Sequence, residues 1–567
     1  MNRKSTTQDG EKTESAKVNI FQTIFTLPKQ RSSAFITSSA MFIISLFLLM
    51  PLDLYLHNVN DFNIGVADFI FPMLIISLCL FAFVLIIFPL IFRGVVLDII
   101  TLLLFGFTVA SYFQTLFLNG RMVNLSDGND TYFDVNMYFY VNLFIWFVLL
   151  VMPLIVWKGL TDSPKYKDIK WEKGILITAV IIIGMQLSGI AAGFVKYDTD
   201  DVRAPYYLSY NKALEFSTED NIIVFLMDGF DASMMDDALE AHPQLYEQLD
   251  GFTFYENNTS MYVDTLRSVT QMLTGVHYTK GEHKIDYLNR AWENQVLIDT
   301  LRENDYRTIL LLDKPRSFRS FSKLFGLADN LEMLLETEDK INYCEVAYCS
   351  VRFTFAKVLP YYAKAFVLET LVDPDFSINF FYYESDDILP HSVGSSSDAL
   401  LYSHLKKSGL RTQSESPTFA FIHLNYISYT GRYSESNEGT GAGSFEILEE
   451  YFKQMKEIGI YDTSTIILVA DHRYEKISLG TIGLLIKPRH TRGEMARNKT
   501  AELSNVNFIP SVLELAGIPH EEYGLSYFDI IEQNIPQVRK RYGYGWDFDN
   551  YEIIGDANDL DNWTVID

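Results

Sequence analysis

Apolar positions fall into two different rhythms along the chain. Up to residue 195 they run almost without interruption: the windows 34–56, 66–92, 95–118, 135–157 and 175–195 are essentially free of charge. Each supplies roughly the 20 apolar residues that a helix needs to cross about 30 Å of hydrocarbon. The pattern therefore predicts five membrane spans. The first window is too long for a cleaved signal peptide, and four more follow it.

From residue 220 the apolar runs shorten and alternate with amphipathic stretches. NIIVFLMD (221–228), RTILLL (307–312), TFAFIHL (418–424), STIILVAD (464–471) and TIGLLIKP (481–488) read as strands, with helical patterns over 292–304, 444–458 and 508–516. Strands apolar on both faces point to parallel pairing under helices on each side, an α/β fold. Polar residues are confined to the strand tips: Asp228 ends the first, His423 lies one residue before the end of the third, and Asp471 with His472 ends the fourth. In open parallel sheets, ligands bind beyond the carboxyl ends of the strands. An acid and an imidazole at such a tip are costly to bury without a partner, so this edge is expected to hold a metal or a phosphate.

Charge then orients the chain. Arg3, Lys4, Lys12, Lys17, Lys29 and Arg31 precede the first span, Arg93 follows the second, and Lys158, Lys165, Lys167, Lys170 and Lys173 follow the fourth. These twelve basic residues lie on one side, against Arg121 alone on the other. The excess marks the cytoplasmic face. The expected layout is a cytoplasmic tail (1–33), five spans (34–195), a polar linker (196–219), an extracytoplasmic α/β domain (220–535) and an acidic C-terminal extension (536–567). A formal net charge of −26, with the basic residues of the membrane part mostly used for topology, leaves the outer part acidic, which argues against nucleic acid as a partner and suits a domain that handles a cation. Cys79 lies within a span. Cys344 and Cys349 are predicted outside, and their spacing leaves a disulfide open.

Between the first two predicted strands, FTFYENNTSMYVDTLRSVTQMLTG (252–275) carries Thr265 at the start of a helical pattern. A hydroxyl there gains from the helix dipole and free amides, and a nearby cation would lower its pKa towards nucleophilicity. The order strand-Asp228, Thr265-x-x-Ser268, strand-His423-Leu424, strand-Asp471-His472 resembles the alkaline phosphatase superfamily. Within it, the chain resembles membrane-anchored sulfatase-domain proteins such as lipoteichoic acid synthases and phosphoethanolamine transferases. SNVNFIPSVLELAGI (504–518) and YGLSYFDI (523–530) are similar to that family's late helix and Gly-Leu-Ser segment.

The resemblance implies that Asp228, Asp471 and His472 hold one divalent ion (Mn²⁺ or Zn²⁺, with Mg²⁺ tolerated). Thr265 is then both nucleophile and fourth ligand, with His423, Ser268 and Arg473 at the substrate. It also implies a two-step reaction that moves a phosphoryl-type group from a lipid-linked or other membrane-borne phosphodiester to an envelope glycan or lipid, or to water in a hydrolase. The chain departs from the family in three places. Ser428 or Tyr429 stands where relatives carry a second histidine, Arg473 follows Asp-His in place of glycine, and Thr270 replaces a common proline. The other readings are a sulfuric ester hydrolase, for which no Cys/Ser-x-Pro-x-Arg nucleophile is present, and a catalytically impaired binding protein that keeps the fold.

Overall fold

The computed structural model describes residues 29–119, 137–164, 170–197, 206–312 apart from 242, 244 and 283, 324–333, 341–368, 380, 397–425, 444–544 and 548–566. Ser428, Tyr429 and most of the segment after His423 lie outside these residues, as do most of the basic residues of the N-terminal tail. The chain forms two compact units.

Among its described residues the first unit contains five helices long and apolar enough to cross a membrane: Ser33–His57, Val66–Ile91, Val95–Leu118, Phe139–Asp162 and Trp171–Lys196. It also contains residues 342–371, which sequence patterning assigns to the α/β domain. Helices Tyr343–Val358 and Tyr361–Leu368 of this insertion pack on the spans through a polar network. Gln114 of the third span accepts from Asn142 and Trp146 of the fourth, each at 2.9 Å, and donates to Asn119 at 2.9 Å. The Asn119 amide donates to the Lys357 carbonyl at 2.9 Å. Lys364, itself buried, donates to Asn119 Oδ1 at 2.8 Å and to the Lys357 carbonyl at 3.0 Å. Lys357 closes the network on Asp53 of the first span at 3.0 Å. Apolar packing alone discriminates weakly among helices in lipid, so polar contacts of this kind fix the partner. Cys344 and Cys349 are both free thiols on one helix of the insertion. Five residues apart, they face different sides of it.

The second unit is built on a seven-stranded sheet. In chain order its strands are β1 (Asn221–Met227), β2 (Thr253–Tyr255), β3 (Arg307–Leu311), β4 (Thr418–Leu424), β5 (Ser464–Ala470), β6 (Leu484–Lys487) and β7 (Ala496–Asn498), arranged β7-β2-β6-β5-β1-β4-β3. The block β5-β1-β4-β3 is parallel, as the doubly apolar runs predict. β6 is antiparallel to both neighbours, because residues 471–483, which carry no helix, return the chain directly instead of crossing over. The edge strand β7 and its neighbour β2 are three residues each, too short to leave an apolar signature.

Helices cover both faces. Phe225 of β1 meets Tyr451 and Phe452 of α2 (Ser444–Glu457) with ring centroids 4.9 and 6.1 Å apart. Phe421 of β4 pairs with Val224, so it points to the opposite face, where it meets Phe508 of α3 (Phe508–Leu515) at 6.1 Å. The acidic C-terminal stretch forms its own antiparallel sheet of β8 (Val538–Arg541), β9 (Asn550–Ile554) and β10 (Trp563–Ile566). Arg539 anchors it, buried and donating to the side-chain and main-chain oxygens of Asn257, each at 2.9 Å.

Candidate active site

Strand register assembles the site. Met227 at the end of β1 pairs with Leu424 of β4 on one side and Ala470 of β5 on the other. The three carboxyl ends are therefore level, so Asp228 and Asp471 emerge next to each other with His423 one step back. The turn at Asp228-Gly229 needs glycine: φ is +69°, and a Cβ there would come within 3.2 Å of the Tyr474 backbone. The Gly229 amide so placed donates to Asp471 Oδ1 at 3.0 Å, beside the His472 amide at 2.8 Å.

Thr265 arrives on α1 (Thr265–Thr274), whose first turn is capped not by Thr265 but by Asp264, which accepts from the Arg267 amide at 3.1 Å. With the capping role taken, the Thr265 hydroxyl is left to the site. Its Oγ1 lies 3.1 Å from His472 Nε2 and 3.5 Å from Asp228 Oδ2. His472 Nε2 lies 3.5 Å from Asp228 Oδ1 and 3.4 Å from Asp471 Oδ2, and ligand atoms of Asp228, Asp471 and His472 all lie within 4.8 Å of one another. His423 Nε2 is 3.6 Å from Asp228 Oδ2. The structure thus brings Asp228, Thr265, His423, Asp471 and His472 together.

Two observations bear on whether this set fits a cation. Asp471 is fully buried, and among the described residues nothing donates a hydrogen bond to its Oδ2. Burial pushes its carboxyl above the usual carboxylate range, the nearby Asp228 charge adds to this, and His472, His423 and the Gly229 amide act in the opposite direction. An orphaned buried carboxylate oxygen facing a second carboxylate and an imidazole matches the oxygen and nitrogen donor set of a divalent ion. The residues fit such an ion. His472 Nδ1 lies 2.6 Å from the Arg473 carbonyl, which as acceptor fixes the tautomer and leaves the Nε2 lone pair facing Asp228, Thr265 and Asp471.

Two predicted residues are placed otherwise. Arg473 pairs with Asp231 at 2.6 Å and donates to the Leu479 carbonyl, so its guanidinium holds the loop after β5 rather than joining the cluster. Ser268 is buried and donates to the Tyr262 carbonyl at 3.3 Å. Sequence reasoning passed over Asp231, Asp264 and Asn505. Asn505 is buried and donates to the carbonyl of Ala470 at 2.8 Å, pinning the tip of β5 from behind. Its signal was present in SNVNF, and that of Asp264 in its place directly before Thr265.

No family model matches the chain, and no curated protein matches it. Solved structures do. The chain is similar to members of the alkaline phosphatase superfamily. One such protein from Vibrio parahaemolyticus is 13% identical over 66% of this chain and 86% of its own, with a TM-score of 0.36. The lipoteichoic acid synthase LtaP from Listeria monocytogenes is 11% identical over 63% and 91%, TM-score 0.32. The C-terminal periplasmic domain of EcEptC from Escherichia coli, in complex with Zn, is 13% identical over 61% and 94%, TM-score 0.31. Likenesses this distant carry no argument about activity, which rests on the site itself.

Proposed function

We propose that the chain is a membrane-embedded, metal-dependent enzyme that moves a phosphoryl-type substituent, such as phosphoglycerol or phosphoethanolamine, through Thr265. The donor is a membrane-borne phosphodiester, and the acceptor is a glycan or lipid of the cell envelope. The observation that carries this reading is the placement of the Thr265 hydroxyl, capping nothing, within 3.5 Å of both Asp228 and His472.

In this reading Asp228, Asp471, His472 and Thr265 would hold one divalent ion, which supplies positive charge to favour the deprotonated threonine and to offset charge on the transferred group. Thr265 Oγ1 attacks phosphorus and forms a new P–O bond. The bond to the donor's alcohol breaks, and that oxygen takes up a proton. An acceptor hydroxyl then attacks the same phosphorus, loses its proton and releases Thr265. His423, buried beside Asp228, orients that carboxylate or contacts the incoming phosphodiester. Asp231 and Arg473 keep the loop after β5 in place, and with it His472. The basic asymmetry around the spans supports an extracytoplasmic position for the α/β domain, with the N-terminus cytoplasmic.

Mass spectrometry of the Thr265 peptide after incubation of the full chain with membranes tests this. A phosphorus-containing adduct on wild type, absent from Thr265→Ala, is expected. If no adduct forms and both proteins alter envelope polymers equally, the catalytic reading fails and the binding-protein reading replaces it.

A further inference from the structure

The C-terminal sheet delivers aromatic rings to the first turn of α1. Immediately after β8, the Tyr542 amide donates to the Met261 carbonyl at 2.8 Å, and Tyr542 is bridged to Tyr262, three residues before Thr265. Tyr542 and Tyr544 are stacked, with centroids 4.7 Å apart and planes 14° off parallel. Tyr544 lies 5.8 Å from Tyr278 and 6.4 Å from Tyr262. Gly543 between them lies against Phe548, where a Cβ would come within 2.5 Å of the Phe548 carbonyl oxygen. Tyr278 is held in turn by its amide, which donates to the Tyr262 hydroxyl at 3.0 Å, and by Arg267, whose guanidinium stacks on it at 4.3 Å. Arg267 sits two residues after Thr265 in the same helical turn. Tyr262 is buried, whereas Tyr278, Tyr542 and Tyr544 keep part of their surface open.

We infer that Tyr278, Tyr542 and Tyr544 form a stacking platform for a neutral sugar ring of the acceptor, next to the nucleophile. Rings with an apolar face and a hydroxyl at the tip suit a pyranose, which has C–H groups on its faces and hydroxyls on its rim. Charge argues for a neutral glycan over an anionic one. Arg267 is committed to Asp264 at 2.5 Å, and Arg539 and Arg541 are buried on main-chain carbonyls. These neighbouring cations are engaged, in a domain that is acidic. The inference rests on the transferase reading for its biological meaning, but the binding it asserts is measurable without turnover.

The test is calorimetric titration of the full chain in detergent with neutral hexasaccharides: cellohexaose, maltohexaose and chitohexaose. At least one should bind wild type. Tyr544→Ala should weaken that binding tenfold or more, while Tyr544→Phe, which keeps the ring, should bind within threefold of wild type. Tyr544→Leu preserves bulk and serves if the alanine variant fails to fold. In parallel, the adduct on Thr265 is measured in wild type by mass spectrometry. Absence of binding by all three sugars, or equal binding by Tyr544→Ala or Tyr544→Leu and wild type, overturns the platform. Sugar binding that depends on Tyr544, together with no adduct on Thr265, leaves the platform standing and sinks the transferase reading instead.

Discussion

Thr265 Oγ1 stands 3.1 Å from His472 Nε2, a hydrogen-bond distance between the tip of β5 and the first residue of α1. Two elements distant in the chain are held in contact by groups that both suit one cation. Removing the imidazole leaves Asp228 and Asp471 facing each other with less to balance them. His472→Ala should therefore lose most bound divalent metal by elemental analysis and unfold at lower temperature than wild type. For wild type itself, chelation should lower the melting temperature. Returning metal at about a hundred times its Kd should restore roughly 2.7 kcal/mol.

Thr265→Val keeps the shape of the side chain and removes only its oxygen. It should fold and retain much of the metal, since three ligands remain, while the rate of phosphodiester turnover falls by about a thousandfold or more. Thr265→Ser should recover part of the rate. Equal rates for the valine variant and wild type would remove Thr265 from the chemistry.

Arg473 and Asp231 form an ion pair with little solvent exposure. Breaking such a pair from one side strands the other charge and costs on the order of 3 kcal/mol. Arg473→Ala should destabilise the α/β domain by about that amount, and the double variant with Asp231→Asn should cost clearly less than the two single changes added. Additive costs in thermal or denaturant unfolding would show that the pair does not hold this loop.

The parallel core and the clustering of Asp228, Asp471 and His472 were legible in the sequence because both write themselves locally. A strand buried on two faces must be apolar throughout, so Asp228, Asp471 and His472 stand out where each run stops. β2 and β7 were not legible, since three residues carry no period. Nor was the sheet at 538–566, where acidic and polar residues dominate and the stabilising contacts come from the buried Arg539 and Arg541. The insertion at 342–371 escaped for a third reason. Its helices are moderately apolar, as soluble ones are, and the groups that bind it to the spans (Asn119, Lys357, Lys364) are polar ones that hydropathy assigns to water. The structural role of Arg473 was not legible either, because its partner Asp231 is 242 residues away.

Lys364 gives that insertion a pH dependence. Burial pushes its ammonium down to about 7, and the charge of Lys357 acts in the same direction. Released from the spans, the same lysine would hold its proton up to about 10.5. Between these values the released state binds more protons, so docking tightens as pH rises from about 7. The slope is at most about 1.4 kcal/mol per pH unit, and it vanishes below pH 7, where both states are charged. Hydrogen exchange of amides 343–368 should slow correspondingly, after correction for intrinsic rates. In Lys364→Met that dependence should be gone, and an unchanged slope would assign it to other groups.

The insertion also changes what a cut in the chain can do. Residues 342–371 leave the α/β unit between β3 and β4 and return to it, so that unit is joined to the five-helix unit by three covalent passages instead of one. Scission within 196–219 alone would shed nothing from the cell. The same connectivity makes a soluble fragment beginning near residue 206 a poor expression target. It would carry an orphaned hairpin with Lys357 and Lys364 stripped of Asp53 and Asn119, and replacing 342–371 by a short polar loop is the change that should render it monodisperse.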